Sequence, residues 1–435
     1  MLRTKPLQFV WLSLSTLLLQ ACTYHIPTGP VHVEITDRDQ GYLLLRDSKP
    51  YTVRGAGGDL RNLETLSRNG GNSIRTWHVE TDREKGIAFL DEAHSLGLTV
   101  SLCLNIARER DGFDYDDPGA VARQYQQARR AVLDYRDHPA LLSWIIGNEL
   151  NYDFTNLAVY DAVNEISLMI HELDPYHLTT TAIAGFSEQM LRTVEQRAPD
   201  LDFISFQLYG DLINLPGYIE AAQFTKPYFI TEWGSIGHWE VAQTKWGAPI
   251  ELTSTEKANN YLKGFDEVIA TNPHQVLGNY VFLWGQKQER TPTWYGVFTE
   301  SGEETEAVDV MYYLWNNQWP ANRSPVLTGI QLDGRTAYEN IYLAPGQKTL
   351  ASVIVQDPDG DQVSYGWSIK PESDSAKHGG DFETAIADIE NLIEDPHKAT
   401  VEITTPTQSG PYRIFVYAYD GKGKAAHANI PFFVK

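Results

Sequence analysis

The feature that most constrains the fold is a regular alternation of strand-like and helix-like segments between residues 51 and 319. Short apolar runs rich in β-branched and aromatic residues predict eight strands, at 51–58, 72–78, 98–106, 141–149, 178–185, 203–209, 228–234 and 279–285. Most intervals between them carry helical patterns; in 84–97, for example, apolar residues recur about every 3.6 positions before a glycine stop. Alternating strands and helices indicate a parallel sheet, and eight such units predict a (β/α)8 TIM barrel, an α/β fold.

A doubly wound open sheet is the rival arrangement for such a pattern. Sheets of that kind often carry a glycine-rich phosphate loop directly after the first strand. The glycines here stand in Arg54-Gly-Ala-Gly-Gly58, which lacks the spacing of that loop. The barrel is therefore the favoured interpretation.

Two glutamates end predicted strands of the barrel. Glu149 closes the fourth strand in Trp144-Ile-Ile-Gly-Asn-Glu149, and Glu232 lies in the seventh, in Ile230-Thr-Glu-Trp-Gly234. A carboxylate at the end of an apolar strand is costly unless it has partners, so a salt-bridged structural acid is the alternative for either residue alone. Because the carboxyl ends of all barrel strands meet at one face, both acids are expected at one rim. Retaining glycoside hydrolysis requires such a pair, one carboxyl as acid and then base, the other as nucleophile.

Further polar and aromatic residues follow predicted strands and are expected at the same rim. They are Arg75, His78, Asn148, Tyr209 and Trp284. Chance accounts for one or two such residues at strand ends, but less well for the whole set.

These segments together resemble the clan A glycoside hydrolases, and most closely the catalytic barrel of glycoside hydrolase family 2. The segment ending at Glu149 is similar to the acid/base motif of that family, the segment around Glu232 to its nucleophile motif, and 72–78 to its second-strand segment. The resemblance covers about residues 51–319. One departure is that only a predicted hairpin segment, 23–50, stands between the signal peptide and the barrel, where family 2 enzymes carry sandwich domains. The exo-acting sugar specificities of that family are therefore not carried over.

The resemblance implies a role for each of the two acids and for three of their neighbours. Glu149 would protonate the glycosidic oxygen and then deprotonate water or an acceptor, and Glu232 would attack the anomeric carbon. Asn148 would bind the 2-hydroxyl of the sugar. Arg75 would keep Glu232 ionised, and Tyr209 would donate a hydrogen bond to it.

The resemblance also implies that His78 contacts substrate and that Trp284 forms the floor of the subsite that binds the donor sugar. For several of these residues a purely structural role is the alternative. Asn148 could be a hydrogen-bonded loop residue, and Arg75 could form an ion pair inside the barrel. His78 could be a buried, hydrogen-bonded residue, and Trp284 could pack in the core. The mechanism needs no cofactor or metal, and no His, Asp or Glu cluster in the sequence has the spacing of metal ligands.

The amino-terminal residues 1–22 are predicted to be a lipoprotein signal peptide. Arg3 and Lys5 form a basic start, the apolar stretch 9–19 is too short to span a bilayer comfortably, and Leu19-Gln-Ala-Cys22 resembles a bacterial lipobox. Cys22 would then carry palmitate-type chains and anchor the protein outside the cytoplasm, in the cell envelope and by resemblance at the outer membrane. An ordinary cleaved signal peptide is the alternative. The other cysteine, Cys103, is expected in the core.

The carboxyl-terminal part has the composition of a second domain. Residues 320–326 are predicted to be a linker and 327–435 an all-β sandwich, because short alternating runs are separated by turn signals. This part resembles immunoglobulin-like, cadherin-like or PKD-like modules of bacterial secreted enzymes. Its Asp-rich segments, 357–361 and 420–423, are expected to be turns, with calcium binding as the alternative. A barrel that ends near Trp319 is expected to fold without the sandwich.

The sequence therefore predicts a lipid-anchored retaining β-glycoside hydrolase or transglycosylase. Its partners would be a β-linked carbohydrate and, through the lipid, a membrane; the net charge of −22 argues against nucleic acid. The main alternative is a barrel that has lost catalysis and serves as a surface carbohydrate-binding lipoprotein. A structural surface protein in which the sandwich is the functional part is a third hypothesis.

Overall fold

The computed structural model describes residues 28–39, 41–58, 60–375 and 380–435. The predicted signal peptide and the lipidation site Cys22 lie outside the described residues, so the anchor stays a prediction. Within the described ranges, no helix is both long and apolar enough to cross a bilayer.

A small antiparallel sheet precedes the barrel and covers its lower end. Its strands are β1 (Val33–Arg38), β2 (Gly41–Arg46) and β3 (Lys49–Pro50). The amide of Val33 donates to the carbonyl of Tyr176 at 2.8 Å, and the amide of Tyr42 donates to that of His274 at 2.7 Å. Both carbonyls belong to loops that enter barrel strands. The sheet therefore lies at the amino-terminal ends of the strands, opposite the predicted site.

Eight parallel strands form a closed barrel, which confirms the predicted fold class. The strands are β4 (Val53–Gly57), β5 (Ser73–Arg75), β6 (Thr99–Leu104), β7 (Leu141–Asn148), β8 (Leu178–Ala184), β9 (Ile204–Gln207), β10 (Tyr228–Gly234) and β11 (Val276–Phe282). Seven of them lie inside the predicted runs. The eighth, β11, begins and ends three residues before its predicted run, 279–285.

One α-helix follows each strand of the barrel. The helices are α1 (Leu63–Arg68), α2 (Arg83–Ser95), α3 (Pro118–Tyr135), α4 (Ala158–Leu173), α5 (Glu188–Arg197), α6 (Leu215–Ala221), α7 (Ser254–Gly264) and α8 (Glu306–Asn316). Polar residues start several of them, as Thr253 and Glu256 do for α7 by exchanging side-chain and backbone hydrogen bonds. Such caps satisfy amides that have no partner inside the helix.

Buried hydroxyl groups fill part of the barrel interior. The hydroxyl of Tyr280 lies 2.7 Å from that of Ser101 and 2.9 Å from that of Ser73. Side chains two residues apart along a strand point to the same side. Arg75 therefore lies one layer above Ser73, still inside the barrel and at its carboxyl end. Its side chain is fully buried.

The carboxyl-terminal part is a sandwich of two four-stranded sheets around its own apolar core. Its strands are β12 (Val326–Leu332), β13 (Tyr342–Leu343), β14 (Lys348–Gln356), β15 (Ser364–Pro371), β16 (Ile393–Glu394), β17 (Thr400–Thr404), β18 (Gly410–Tyr419) and β19 (Ala425–Val434). One sheet has the order β12-β14-β17-β16 and the other β13-β19-β18-β15. The resemblance to a particular module family stays a prediction.

The sandwich docks on the barrel through buried polar contacts. The Lys424 ammonium lies 2.6 Å from the Glu304 carboxylate and 2.5 Å from that of Asp309, on the loop before α8 and on α8 itself. The Asn429 amide donates to Glu251 of the barrel at 2.6 Å, and Arg413 donates to the carbonyl of Pro249 at 2.8 Å. These groups are buried at the interface, so the two parts form one packed unit.

The predicted linker, 320–326, packs against both parts. The Ser324 amide donates to Asp309 of α8 at 2.6 Å, and the Asn322 side chain donates to Asp420 of the sandwich at 2.6 Å. Val326 already belongs to β12. The composition of 320–326 therefore marks the boundary between two domains, but the segment is not a flexible linker.

The Asp-rich segments of the sandwich form hydrogen-bonded turns. The Asp357 carboxylate accepts from the amides of Asp359 and Asp361, both at 2.9 Å. The Asp420 carboxylate accepts from the amides of Lys422 and Lys424, at 2.7 and 2.9 Å. This is the local bonding by which aspartate stabilises turns.

Candidate active site

A cleft of about 630 Å³ opens at the carboxyl ends of the barrel strands. Its volume falls in the range of small-molecule sites. The side chains that line it include Trp77, Arg108, Asn148, Glu149, Tyr209, Glu232, Trp239, Phe282, Lys287, Glu289 and Tyr295. The two glutamates predicted from the sequence therefore face one cavity.

Glu232 lies at the floor of the cleft and is held by four side-chain donors. Arg75 donates to it at 2.5 Å, and the indole of Trp77 donates at 2.6 Å. The amide of Gln207 donates at 3.1 Å, and the hydroxyl of Tyr209 at 2.6 Å. Together they cover both carboxylate oxygens. Donors from β5, β9 and the loops after these strands thus fix the carboxylate in one orientation.

Glu149 sits just beyond the end of β7 in an unusual backbone conformation. Its φ is 51°, and the φ of Gly147 is 81°, so the strand turns sharply at its carboxyl end. Burial raises the pKa of Glu149 to about 8, and the neighbouring Glu232 carboxylate adds to the rise. Arg75, and more weakly two cations of the loop after β6, oppose the rise. Glu149 is therefore suited to keep a proton near neutral pH.

Asn148 connects the two acids through a shared set of donors. Its side-chain oxygen accepts from Arg75 and, at 2.8 Å, from Gln207. Both donors also hold Glu232, so the carbonyl oxygen of Asn148 is fixed. Asn148 lines the cleft, and its side-chain NH2 group is available to a bound molecule. The amide could donate to a hydroxyl group of a bound molecule.

An aromatic wall surrounds Tyr209. Its ring packs against Phe282 and Tyr295 at centroid distances of 5.6 and 5.5 Å, and against Trp239 at 5.7 Å. Burial raises the pKa of the Tyr209 phenol well above its usual value, and the carboxylates of Glu232 and Glu149 add to the rise. Tyr209 therefore stays protonated and remains a donor to Glu232.

The structure corrects the position predicted for Trp284. Its side chain is 1% exposed and packs against Phe298 and Trp315 of the core, both at 5.5 Å, so it does not line the cleft. The aromatic residue that faces the cleft at this strand end is Phe282, whose ring lies edge-on to Trp77 at 5.5 Å. The physical reason is the register of β11, which ends at Phe282.

His78 lies apart from the two acids. It is exposed and borders a second cavity, of about 530 Å³, on the far side of Trp77 and Leu283. Those two residues line both cavities and form a wall between them. A contact between His78 and a substrate would therefore need a molecule that extends past Trp77.

The four tryptophans at or after the ends of β10 and β11 differ in whether they are exposed or buried. Trp239 lines the cleft and is 52% exposed. Trp233 packs against Tyr261 of α7, between the barrel and its helices, and Trp294 is buried with its indole donating to the carbonyl of Ile236 at 2.9 Å. Trp246 contacts Tyr342 and Phe433 of the sandwich. Only Trp239 of these four borders the cleft among the residues that the structure describes.

Several residues that line the cleft or hold its glutamates were not predicted from the sequence. Gln207 could have been found, because it stands two positions before Tyr209 in the sixth predicted strand and hence on the same side. Lys287 and Glu289 carry no comparable signal; they lie in an irregular loop and form an ion pair at 2.6 Å. Burial alone would raise the pKa of Glu289, but His238 and Lys287 outweigh it and hold the pKa below its usual value.

The described residues contain no group of three or more His, Cys, Asp or Glu side chains that could hold a metal ion. The chemistry available in the cleft is that of two carboxyl groups in different environments. One is fixed by donors, and the other retains a proton more readily than a free carboxyl group. Such a pair can combine nucleophilic attack with proton transfer.

Comparison with known proteins agrees with this arrangement. Residues 59–246 match the model of the "Glycosyl hydrolases family 2, TIM barrel domain", a range that includes both glutamates. No curated protein matches the chain.

Solved structures share the fold at low sequence identity. The β-glucuronidase of Bacteroides uniformis has a TM-score of 0.50 at 15% identity, over 93% of this chain and 48% of that one. The β-D-glucuronidase of Dictyoglomus thermophilum has a TM-score of 0.51 at 16% identity, over 67% of this chain and 54% of that one. The present chain thus spans about half the length of these proteins. Residues 59–246 are thus similar in sequence to the TIM-barrel domain of family 2 glycosyl hydrolases, and the solved structures share the barrel fold.

Proposed function

We propose that the protein is a retaining β-glycoside hydrolase that acts on β-linked oligo- or polysaccharide through a glycosyl-enzyme intermediate. The observation that carries the proposal is a pair of unlike carboxyl groups in one cleft. Glu232 is held by four donors, whereas burial raises the pKa of Glu149 to about 8. A fixed nucleophile beside an acid that keeps its proton near neutral pH is the division of roles that retaining hydrolysis needs.

In the first step Glu232 attacks the anomeric carbon while Glu149 gives its proton to the glycosidic oxygen. The bond between sugar and oxygen breaks, an ester to Glu232 forms, and the leaving group departs as an alcohol. In the second step the ionised Glu149 removes a proton from water, and the water oxygen displaces Glu232 from the sugar. The first-formed product keeps the anomeric configuration of the substrate.

Asn148 and Tyr209 support both steps. The amide of Asn148, whose carbonyl oxygen accepts from Arg75 and Gln207, would bind a sugar hydroxyl next to the reacting carbon. Such a hydrogen bond strengthens in the transition state. Tyr209, bonded to Glu232 at 2.6 Å, stabilises the carboxylate that is released when the ester breaks.

The charges of the cleft favour an uncharged sugar. The two cations among the described lining residues already have carboxylate partners. Arg108 lies 2.8 Å from Asp111, and Lys287 lies 2.6 Å from Glu289. A uronate would have to compete with these carboxylates, whereas a neutral sugar would accept hydrogen bonds from the paired groups.

The exposed Trp239 favours a substrate with several sugar units, cleaved at an internal bond. Trp239 is half-exposed at one edge and offers an aromatic face for a further sugar. An acceptor sugar bound there would compete with water for the glycosyl-enzyme, which would give transglycosylation. We therefore expect mixed oligosaccharides as early products and weak activity on simple monosaccharide glycosides.

We also propose that the protein is anchored in the bacterial cell envelope, at the outer membrane, through acyl chains on Cys22. The support is the sequence segment Leu19-Gln-Ala-Cys22. Two or more acyl chains give stable attachment, where one alone is marginal. Palmitate labelling that persists in a Cys22→Ser variant would argue against this proposal.

Hydrolysis of uncharged β-glucans, mannans and galactans, followed by NMR of the first-formed anomer, tests the proposed reaction. We expect retention, and loss of nearly all turnover in Glu232→Gln, because no ester can form. Glu149→Ala should slow substrates with poor leaving groups far more than activated aryl glycosides, which need little protonation. Inversion at the anomeric carbon would refute the mechanism. Binding of these glycans without hydrolysis by the wild type would instead support the inactive carbohydrate-binding alternative.

A further inference from the structure

A segment of the sandwich crosses onto the catalytic face of the barrel. It belongs to the connection between β15 and β16. The backbone carbonyl of Gly380 accepts from Lys287 at 3.2 Å, and Gly380 itself lines the cleft. The Glu383 carboxylate, which is buried, accepts from the amide of Arg290 at 3.0 Å. The loop after β11 thus holds 380–383 in place from one side.

The opposite side of this segment binds the loop after β6. The Asp381 carboxylate lies 2.9 Å from the Arg110 guanidinium and 3.9 Å from that of Arg108. The side chain of Arg110 is 8% exposed, so its pairing with Asp381 is largely shielded from solvent. Asp381 is therefore the point at which the sandwich meets two cations at the edge of the cleft.

The same two arginines lie close to Glu149. Arg108 lines the cleft together with Glu149. The Arg110 guanidinium lies over the ring of Tyr152, 5.0 Å from its centroid. The amide of Tyr152 in turn donates to the backbone carbonyl of Glu149 at 3.0 Å. A continuous set of contacts thus connects Asp381 of the sandwich to the backbone of Glu149.

We propose that the segment 380–383 of the sandwich is part of the active site, and that Asp381 is a positioning residue that holds Arg110 and Arg108 beside Glu149. The inference rests on the proposed role of Glu149 as the acid. It means that the sandwich is a structural component of the catalytic unit.

The electrostatic consequence of this arrangement can be stated from the groups that face Glu149. Glu232 raises the pKa of Glu149, and Arg75, Arg110 and Arg108 lower it, after the larger effect of burial. Among the described residues that line the cleft, the remaining ionisable ones are Tyr209, Tyr295 and the Lys287–Glu289 pair. Asp381 offsets part of the charge of the two arginines. Removing its charge should therefore lower the pKa of Glu149.

The test is the pH dependence of kcat/KM in Asp381→Asn, measured on a β-linked oligosaccharide, because its sugar leaving group needs the proton of Glu149. The basic limb should move down by ~0.5 pH unit, because Arg110 and Arg108 would stabilise the ionised form of Glu149 more strongly once Asp381 is uncharged. At a pH above the limb, the variant should then be about threefold slower than the wild type. Arg110→Gln should move the limb in the opposite direction. Asp388→Asn is the matched control, because Asp388 belongs to the same connection and pairs with Lys370 at 3.1 Å, within the sandwich.

A second measurement keeps the inference independent of turnover. NMR titration of 13C-labelled glutamate carboxyls, with Glu149→Gln to assign the signal, reports the pKa of Glu149 directly. A lower value in Asp381→Asn with an unchanged value in Asp388→Asn supports the inference. An equal pKa of Glu149 in the wild type, in Asp381→Asn and in Asp388→Asn overturns it. If the wild type hydrolyses no glycoside, the proposed function fails, and the titration still decides whether Asp381 acts on Glu149.

Discussion

At the scale of single residues, the site depends on two carboxyl groups whose surroundings differ. Glu232 receives its donors from strands and loops that the barrel brings together, whereas burial and the neighbouring Glu232 carboxylate raise the pKa of Glu149. Both positions were predictable, since each ends an apolar strand. The donor Gln207 was missed, although its strand and side were inferable. The aromatic face was assigned to Trp284, and the structure places Phe282 there.

The raised pKa of Glu149 leads to a prediction about stability. A carboxyl group with a folded-state pKa of about 8 holds its proton between its ordinary pKa and about pH 8, where the unfolded chain has lost it. The free energy of unfolding should therefore fall as the pH rises through this window. Glu149→Gln removes the effect and should be more stable than the wild type by about 1–3 kcal/mol at pH 7.

Denaturant unfolding at pH 5 and pH 8 checks this prediction. The stability difference between Glu149→Gln and the wild type should be small at the lower pH and larger at the higher one. A difference that does not grow between the two would contradict the assigned protonation of Glu149.

At the scale of elements, the carboxyl end of β7 determines how Glu149 enters the cleft. Gly147 has a φ of 81°, and a Cβ atom at this position would lie 2.6 Å from the side chain of Leu150. The strand can therefore turn toward the cleft only with glycine at this position. The run Trp144-Ile-Ile-Gly-Asn-Glu149 thus carries both the acid and the turn that presents it.

Gly147→Ala tests the importance of this turn. The added methyl group should displace Asn148 and Glu149 and lower kcat at least tenfold, because misplacement by about 1 Å is that costly in catalysis. Gly97→Ala is the matched control: Gly97 also has a positive φ, 75°, but a Cβ atom there meets nothing within 4 Å. Steady-state kinetics should separate the two variants, and equal losses would show that backbone strain alone is responsible.

At the scale of the whole molecule, the barrel and the sandwich depend on each other. The expectation that a barrel ending near Trp319 folds alone does not fit the interface. Removing the sandwich would leave Asp309 without Lys424 and would uncover the face of α7 that packs against β12 and β19. Because the barrel would lose this network of buried hydrogen bonds and ion pairs, we expect such a truncated chain to be insoluble or poorly folded.

Lys424→Met tests this dependence in the full-length chain. Loss of the buried ammonium between two carboxylates should destabilise the protein by about 3–5 kcal/mol. Lys348→Met, which breaks a solvent-exposed pair with Glu402, should leave the free energy of unfolding nearly unchanged. Calorimetry should show one cooperative transition at a clearly lower Tm for Lys424→Met. Matching Tm values for the two variants would show that the interface contributes little to stability.

The sequence by itself determined the barrel, the hairpin before it, the carboxyl-terminal sandwich and the positions of both acids; the third strand of the small sheet, β3, was not predicted. These features follow from local periodicity and from the rule that strand ends meet at one face of a barrel. Only the tertiary structure decided which aromatic residue faces the cleft, because that depends on where β11 ends. It alone also placed 380–383 beside the loop after β6, more than 250 residues earlier in the chain. Contacts of that kind arise from the docking of two separately patterned domains, for which neighbouring residues carry no signal.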